Sequence, residues 1–332
     1  MMEQPQAPPA SRFRRTRFNF VEYLIERLVF GHGIMSVILV VAITAFLVKE
    51  SLPFFGEVPL KGFLLGKDWD PTYEPATYGL VPLVCGSLLV TFLALAIALP
   101  LGVAGAVFIS EMAPRRVAEW LKPAVELLAA VPSVVMGFIG LAVVSAWMQQ
   151  GFGITKLAEL LTRWFGEDNW MALKLYSWFP LPTGLCALVA ALMIAYMAMP
   201  TIVSIAEDAL NSVPRDFRAA STALGATRWE TIRTVTVPAA RRGVMAAAML
   251  GVGRALGETM TVLMVSGNFP NITLNPLNTV YTMTAAIAVE TGETAQGSTH
   301  YHALFAVGLV LLLFSLLINV TADHILHRSE QG

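Results

Sequence analysis

Charge is scarce in this sequence: Asp, Glu, Lys and Arg make up 14% of its 332 residues, against about 25% in an ordinary soluble domain. That shortage argues against a water-soluble fold. Neither sign prevails, with 22 basic against 23 acidic residues, so the total points to no nucleic-acid partner and no acidic tail. Cysteine is nearly absent. Cys85 and Cys186 each lie inside an apolar run without metal-ligand spacing, and read as small buried or lipid-facing residues. A Gly-x4-Gly-Lys-Ser/Thr phosphate loop is also missing, since Gly66-Lys67 is followed by Asp68. No ATP hydrolysis is therefore expected of this chain, and no cofactor or metal is called for.

What the sequence has instead is long apolar runs. A bilayer core needs about 20 apolar residues per helix, and six stretches lack Asp, Glu, Lys and Arg: 28–48, 75–110, 127–155, 175–206, 259–289 and 294–322. They place spans at 28–48, 81–109, 124–148, 181–205 and 302–322. The 259–289 run is interrupted by Ser266-Gly-Asn-Phe-Pro-Asn-Ile-Thr-Leu-Asn-Pro276, which is too polar and proline-broken to cross lipid. Its span is placed at 243–266, where it contains Arg254 and Glu258. The remainder, 279–289, is too short to cross and reads as a surface or re-entrant segment. The expected fold is all-α: a polytopic membrane protein with six transmembrane helices over 28–322 and a cytoplasmic loop at 206–242.

Positive charge is richer on the cytoplasmic side of membrane proteins. Fifteen of the 22 basic residues fall before the first span, in the second–third and fourth–fifth loops, and in the tail 323–332. Six fall on the other side, and Arg254 lies within a span. Both termini are thus expected on the cytoplasmic side. The first span is too long for a signal peptide and lacks a small-residue cleavage pattern, so it is expected to remain as an anchor. Residues 1–27, with Arg12, Arg14, Arg15 and Arg17, read as a basic arm near anionic lipid. The outer segment 154–165 spaces Leu157, Leu160, Leu161 and Trp164 as an interfacial amphipathic helix, with Trp170 and Trp178 nearby. His300 and His302 read as exposed interfacial histidines without a role.

Two segments carry chemistry. In the loop 206–242, Phe217, Ala220 and Leu224 share one helical face, Gly225 permits a tight turn, and Trp229, Ile232 and Arg233 begin a second short helix that Pro238 closes. Two short helices projecting from a membrane can make a docking knob; the plainer alternative is a solvated loop. The second segment is Gly251-Val-Gly-Arg254-Ala-Leu-Gly-Glu258. A charge at bilayer depth costs roughly 2.5–3.5 kcal/mol on insertion scales and normally faces a partner or an aqueous path. Arg254 and Glu258 are four apart and can meet on one face, and a guanidinium fork suits a tetrahedral oxyanion. A structural ion pair between helices explains the same residues. Val131-Pro132-Ser133 puts proline in an apolar run, so the helix must kink. Ser133 could then donate to a passing anion, although a hydroxyl bonded to its own helix is the simpler account.

Ala219-Ala220-Ser221, three residues, Gly225, nine residues and Val235-Thr-Val-Pro238 resemble the coupling loop of ABC-importer permeases, with Ala219 where that pattern has Glu and Ser221 where it has Ala. The resemblance implies that this loop contacts an ATP-binding subunit. With Trp69-Asp70-Pro71, Tyr78-Gly79, Glu126-Leu-Leu-Ala-Ala-Val-Pro-Ser133 and Arg254-Ala-Leu-Gly-Glu-Thr-Met, residues 65–325 resemble the C-type membrane permease of Pst phosphate-specific ABC importers. That family implies a translocation subunit for inorganic phosphate whose partners are a related A-type permease, two ATP-binding subunits and an external phosphate-binding protein. It also implies that Arg254 and Glu258 line the phosphate path. A permease for sulfate or molybdate is an alternative. An ion-coupled secondary transporter with a proton site at Glu258 is disfavoured, because no inverted repeat is evident and the loop 206–242 would go unexplained.

Overall fold

The computed structural model describes residues 20–151, 163–164 and 184–328. The basic residues of the arm up to Arg17, most of the outer segment 154–165, Trp170, Trp178, residues 181–183 of the fourth span and the tail beyond 328 lie outside the described residues. The chain divides into two units, Met1–Lys49 and Glu50–Gly332.

The described part of the first unit is the leading stretch of helix α1 (Phe20–Glu57). Apolar side chains surround it rather than forming one stripe, and those from Tyr23 to Val41 are exposed. A helix that is apolar all round and this long is built for lipid contact.

In the second unit the core forms around α3 (Val81–Val107) and α7 (Ala187–Asn211). Pro82 opens α3 where no N–H is needed. Their facing surfaces are small: Ala94, Ala98 and Ala106 on α3 and Ala187, Ala190, Ala191, Ala195 and Ala198 on α7 are all buried. Small residues let helix backbones approach closely where lipid supplies no hydrophobic drive between helices. Ile202 of α7 is the knob of this contact. A Cβ on Gly102 would stand 2.8 Å from its Cγ2, and a Cβ on Gly251 would stand 2.8 Å from its Cδ1, so α3, α7 and α11 (Arg241–Gly257) close around one side chain.

Along the chain between α3 and α7, α4 (Arg115–Ala129), α5 (Ser133–Ile139) and α6 (Ala146–Gly151) follow one another, with a π-helical stretch Gly140–Ser145 before α6. A second apolar cluster gathers Phe54, Phe63, Trp69, Leu80, Leu83, Tyr281 and Met283 with Ala303, Leu304 and Val307. It surrounds α2 (Leu60–Leu65) and a two-residue hairpin, β1 (Trp69–Asp70) on β2 (Thr77–Tyr78), in which Trp69 pairs with Tyr78.

Four helices among the described residues are long and apolar enough to cross a bilayer: Tyr23–Glu57, Val81–Met112, Ala187–Asn211 and Thr299–Thr321, the last within α14 (Thr299–Arg328). The expected third span, 124–148, requires correction. Arg115–Ala129 and Ser133–Gln149 meet at 88°, so residues 124–129 belong to the amphipathic α4. Pro132 has no N–H and sits extended at ψ 138° ahead of α5, which ends the preceding helix. The expected span 243–266 is likewise divided, into α11 and α12 (Met260–Val265), because Glu258 adopts an extended conformation with ψ 122°. The segment 279–289 is not a surface element: Tyr281 to Ala286 are all buried, and α13 (Met283–Glu290) packs inside the second unit.

Candidate functional site

Arg254 and Glu258 do not form the ion pair that their spacing allowed. The helix ends at Gly257, so Glu258 is no longer one turn beyond Arg254. Its carboxylate instead caps the next helix, where Oε1 accepts from the Thr261 amide at 3.2 Å. Arg254 is half-buried. Its Nη1 lies 3.5 Å from Thr201 Oγ1, and its buried Nε has no hydrogen-bond partner among the described residues. A buried donor without a partner costs about 1–3 kcal/mol. The guanidinium is therefore held with donor capacity to spare.

Hydroxyl groups gather around the break. Thr284 Oγ1 donates to the Glu258 carbonyl at 3.1 Å, and Thr282 Oγ1 lies 3.2 Å from Thr284 Oγ1. Ser87 Oγ accepts from the Met283 amide at 2.9 Å. Thr261 Oγ1 donates to the Ser133 carbonyl at 3.1 Å, so Ser133 meets this region through its backbone. A cavity of about 10 Å³ lies among Ser87, Thr91, Glu258, Thr282 and Thr284. That is room for about one water, too little for a tetrahedral oxyanion. Thr201, Thr261, Thr282, Thr284 and Ser87 were not singled out by sequence, because a lone hydroxyl in an apolar run most often bonds its own helix.

On the side assigned to the cytoplasm, α8 (Arg215–Ala223) and α9 (Arg228–Thr231) are joined by a turn in which Gly225 has φ +88°. Thr227 accepts from the Glu230 amide and donates from its own amide to Glu230, a reciprocal cap. Those donations hold the Glu230 carboxyl below its ordinary range. Ser221 Oγ lies 2.9 Å from Thr231 Oγ1 and ties the two helices. Phe217, Leu224 and Trp229 are exposed, Leu224 by 90%, and Ala219, Ala220, Gly225 and Pro238 are exposed as well. Pro238 does not close the second helix. A π-helical turn Ile232–Thr236 carries the chain into α10 (Val237–Ala239), which takes Pro238 in its first turn.

A polar network fastens this knob to the bundle. Arg218 pairs with Glu111 at 2.6 Å and donates to the Val213 and Leu210 carbonyls. Lys122 bridges Glu207 at 2.5 Å and Asp208 at 2.7 Å, and Asn211 donates to Glu207. The hydrogen bonds to Asp208 and Glu207 push the Lys122 ammonium well above its ordinary 10.5. This stabilisation is complete below that value and is lost only as pH rises beyond it, so it does not vary across the neutral range. Lys122→Met leaves Glu207, with its side chain 8% exposed, without a cation. It is expected to lower stability by about 1–3 kcal/mol, less than for a fully buried pair because the lysine is one-third exposed. Thermal unfolding in detergent measures this, with Lys122→Arg near wild type.

On the opposite side, His300 and His302 are not exposed. His300 Nε2 lies 2.7 Å from Glu290 Oε2, and His302 Nδ1 lies 2.8 Å from the Glu50 carbonyl. Beside them Trp69, Asp70, Asn268, Phe269, Tyr281, Glu290, Glu293 and His300 line a cavity of about 450 Å³. Burial, with Glu290 and Glu293 nearby, raises the Tyr281 phenol above its ordinary range. No group of three or more metal-ligating side chains occurs among the described residues.

A family model described as "binding-protein-dependent transport system inner membrane component" matches residues 98–331. The chain is 39% identical to the probable ABC transporter permease protein YqgH of Bacillus subtilis, over 87% of this chain and 86% of that protein. It is 34% identical to the phosphate transport system permease protein PstC of Mesorhizobium japonicum, over 81% and 79% of the two chains. Identity to the PstC of Haemophilus influenzae is 32%, over 96% and 97%. Among solved structures, a bacterial alginate ABC transporter in complex with alginate pentasaccharide-bound periplasmic protein contains a chain that superposes with a TM-score of 0.60 at 16% identity, over 92% of this chain and 95% of that one. That likeness bears on the fold alone.

Proposed function

The chain belongs to the family of binding-protein-dependent transport system inner membrane components, and from that premise we propose how it works as the translocation subunit of an ATP-driven importer for inorganic phosphate. It is a multi-pass membrane permease of an ABC importer and not itself an ATPase. The relatives named as phosphate transport permeases, at 31–34% identity over most of the chain, support phosphate as the cargo.

The observation that carries the site is Arg254, whose buried Nε has no partner among the described residues, whose Nη1 reaches the Thr201 hydroxyl, and which stands four residues before Glu258 at the helix break. A guanidinium fork with free donors binds a tetrahedral oxyanion through charge-assisted bonds. Glu258 and the Thr282–Thr284 pair form a constriction further along, with Ser133 contributing its carbonyl to the same region. Phosphate released by an external binding protein passes this point when the bundle alternates its access. Partner ATP-binding subunits, two in number, dock on the knob at Ala219, Ala220, Ser221, Gly225 and Pro238, and a related A-type permease completes the pathway. Both termini and the loop 206–242 face the cytoplasm, as the basic residues imply.

The assembly reconstituted in liposomes is expected to take up radiolabelled phosphate only with ATP on the knob side, and sulfate or molybdate in large excess is expected not to compete. Competition by sulfate would reassign the cargo. Uptake that persists without the ATP-binding subunits would make the chain a secondary transporter. The purified chain alone is expected to hydrolyse no ATP above background.

A further inference from the structure

Helix α13 is fastened at both ends, and the side chains at its outer end are ones that the transport reading does not use. At the outer end, Glu290 accepts from the Trp69 indole N–H at 3.0 and 3.3 Å and meets His300 Nε2 at 2.7 Å. Glu290 is 13% exposed at its side chain and Trp69 only 3%. At the inner end, the Met283 amide donates to Ser87 Oγ of α3, and Thr284 Oγ1 donates to the carbonyl of Glu258. That carbonyl lies just past the end of α11 and has no helical partner to accept from.

Between these ends stands one helix of eight residues, Met283–Glu290, about 12 Å long. Met283, Thr284, Ala285 and Ala286 are buried, and the chain entering the helix has no lateral room. A Cβ on Gly86 would fall 2.4 Å from the Tyr281 carbonyl oxygen. Close-packed interiors shift as units rather than deform, so the helix acts as a strut.

We propose that Glu290 and Trp69 are positioning residues for Glu258: by fixing the outer end of α13 they set where Thr284 holds the backbone of the helix break. The inference rests on the reading that Glu258 lines the phosphate path, and it gives that constriction a handle on the face that receives the cargo. An event that moves the Trp69 hairpin or the start of α14 moves the constriction through α13.

The test is amide hydrogen exchange of the full assembly in nanodiscs, read on peptides covering residues 258–263. Glu290→Leu is expected to raise exchange there about tenfold, the effect of losing one well-made hydrogen bond. Glu290→Gln, whose carbonyl still accepts from the indole, stays near wild type. Thr284→Val gives the same increase as Glu290→Leu, and the double variant gives no more than either, because both cut one strut. Distant independent changes would instead multiply. Unchanged exchange in Glu290→Leu, or a double variant equal to the product of the two, overturns the proposal. Should Glu290→Leu fail to assemble, Trp69→Phe decides in its place, since it keeps a ring in the outer cluster and deletes only the N–H; unchanged exchange there overturns the proposal too. Phosphate uptake by the same preparations keeps the two readings apart. A wild-type assembly that moves no phosphate sinks the transport reading while the exchange result stands.

Discussion

Arg254→Ala is expected to lower phosphate uptake by about two orders of magnitude, the loss of roughly 3 kcal/mol of charge-assisted hydrogen bonding to an oxyanion. Yield and thermal stability of the assembly are expected to hold. The structure gives the reason for that second half. Had Arg254 been paired with Glu258, its removal would have left a carboxylate without a cation and cost stability. Glu258 is satisfied instead by the Thr261 amide, and among the described residues Arg254 makes only a long bond to Thr201, at 3.5 Å. Its Nε has no partner among the described residues. Deleting the side chain therefore orphans nothing and removes a charge that bilayer depth disfavours. Arg254→Lys keeps the charge but loses the planar fork, and uptake about tenfold below wild type is expected. Initial rates of radiolabelled phosphate uptake at matched protein levels check both. Normal uptake by Arg254→Ala would remove the arginine from the path, and a sharp fall in thermal stability would make it structural.

Four long apolar helices matching expected spans were legible in the sequence because a bilayer imposes a length and a composition that runs without charge reveal directly. The breaks in the other two expected spans were legible only in part. Pro132 announces a kink, yet nothing in 124–148 says that the chain turns by 88° there. That angle depends on where α4 is held, and Lys122 ties α4 to α7 through Glu207 and Asp208, 85 and 86 residues further on. The break at Glu258 carries a weaker mark still. Gly257 precedes it, but the freed carbonyl is satisfied by Thr284, 26 residues away. A residue spacing that permits an ion pair on a continuous helix says nothing once the helix stops between the two residues. The same holds for His300, which looked like an interfacial histidine until Glu290 was brought to it from ten residues upstream. The knob was the most legible part, since its turn, cap and exposed apolar residues are set within about twenty residues of sequence. Ser221, which departs from the coupling-loop pattern, has a local explanation in its contact with Thr231.

Gly225→Pro is expected to uncouple ATP hydrolysis from transport, leaving uptake at a tenth of wild type or less while the ATP-binding subunits keep their basal turnover. The position is constrained by backbone geometry and not by space, because a Cβ there would meet nothing within 4 Å. Its φ is +88°, and proline holds φ near −65°. Proline also removes the amide that donates to the Thr222 carbonyl at 3.0 Å. The turn must then open, and the neighbouring bond from the Ala226 amide to the Ser221 carbonyl goes with it. Ser221 is the residue that ties α8 to α9 through Thr231, so the helices carrying Phe217 and Trp229 lose their mutual angle. A docked subunit would still find apolar side chains, but in the wrong arrangement to receive its movement. Gly225→Asn separates this from mere sensitivity to substitution, because asparagine tolerates the left-handed region better than other residues, and coupling close to wild type is expected. Gly225→Ala falls between, at a cost of roughly 1–2 kcal/mol in that conformation. ATP turnover and phosphate uptake measured on the same proteoliposomes give the ratio directly. A Gly225→Pro assembly that keeps the wild-type ratio would show that the knob's shape is not what carries the stroke, and the anchoring pair Arg218–Glu111, at 2.6 Å on the bundle side, would then be the next element to cut.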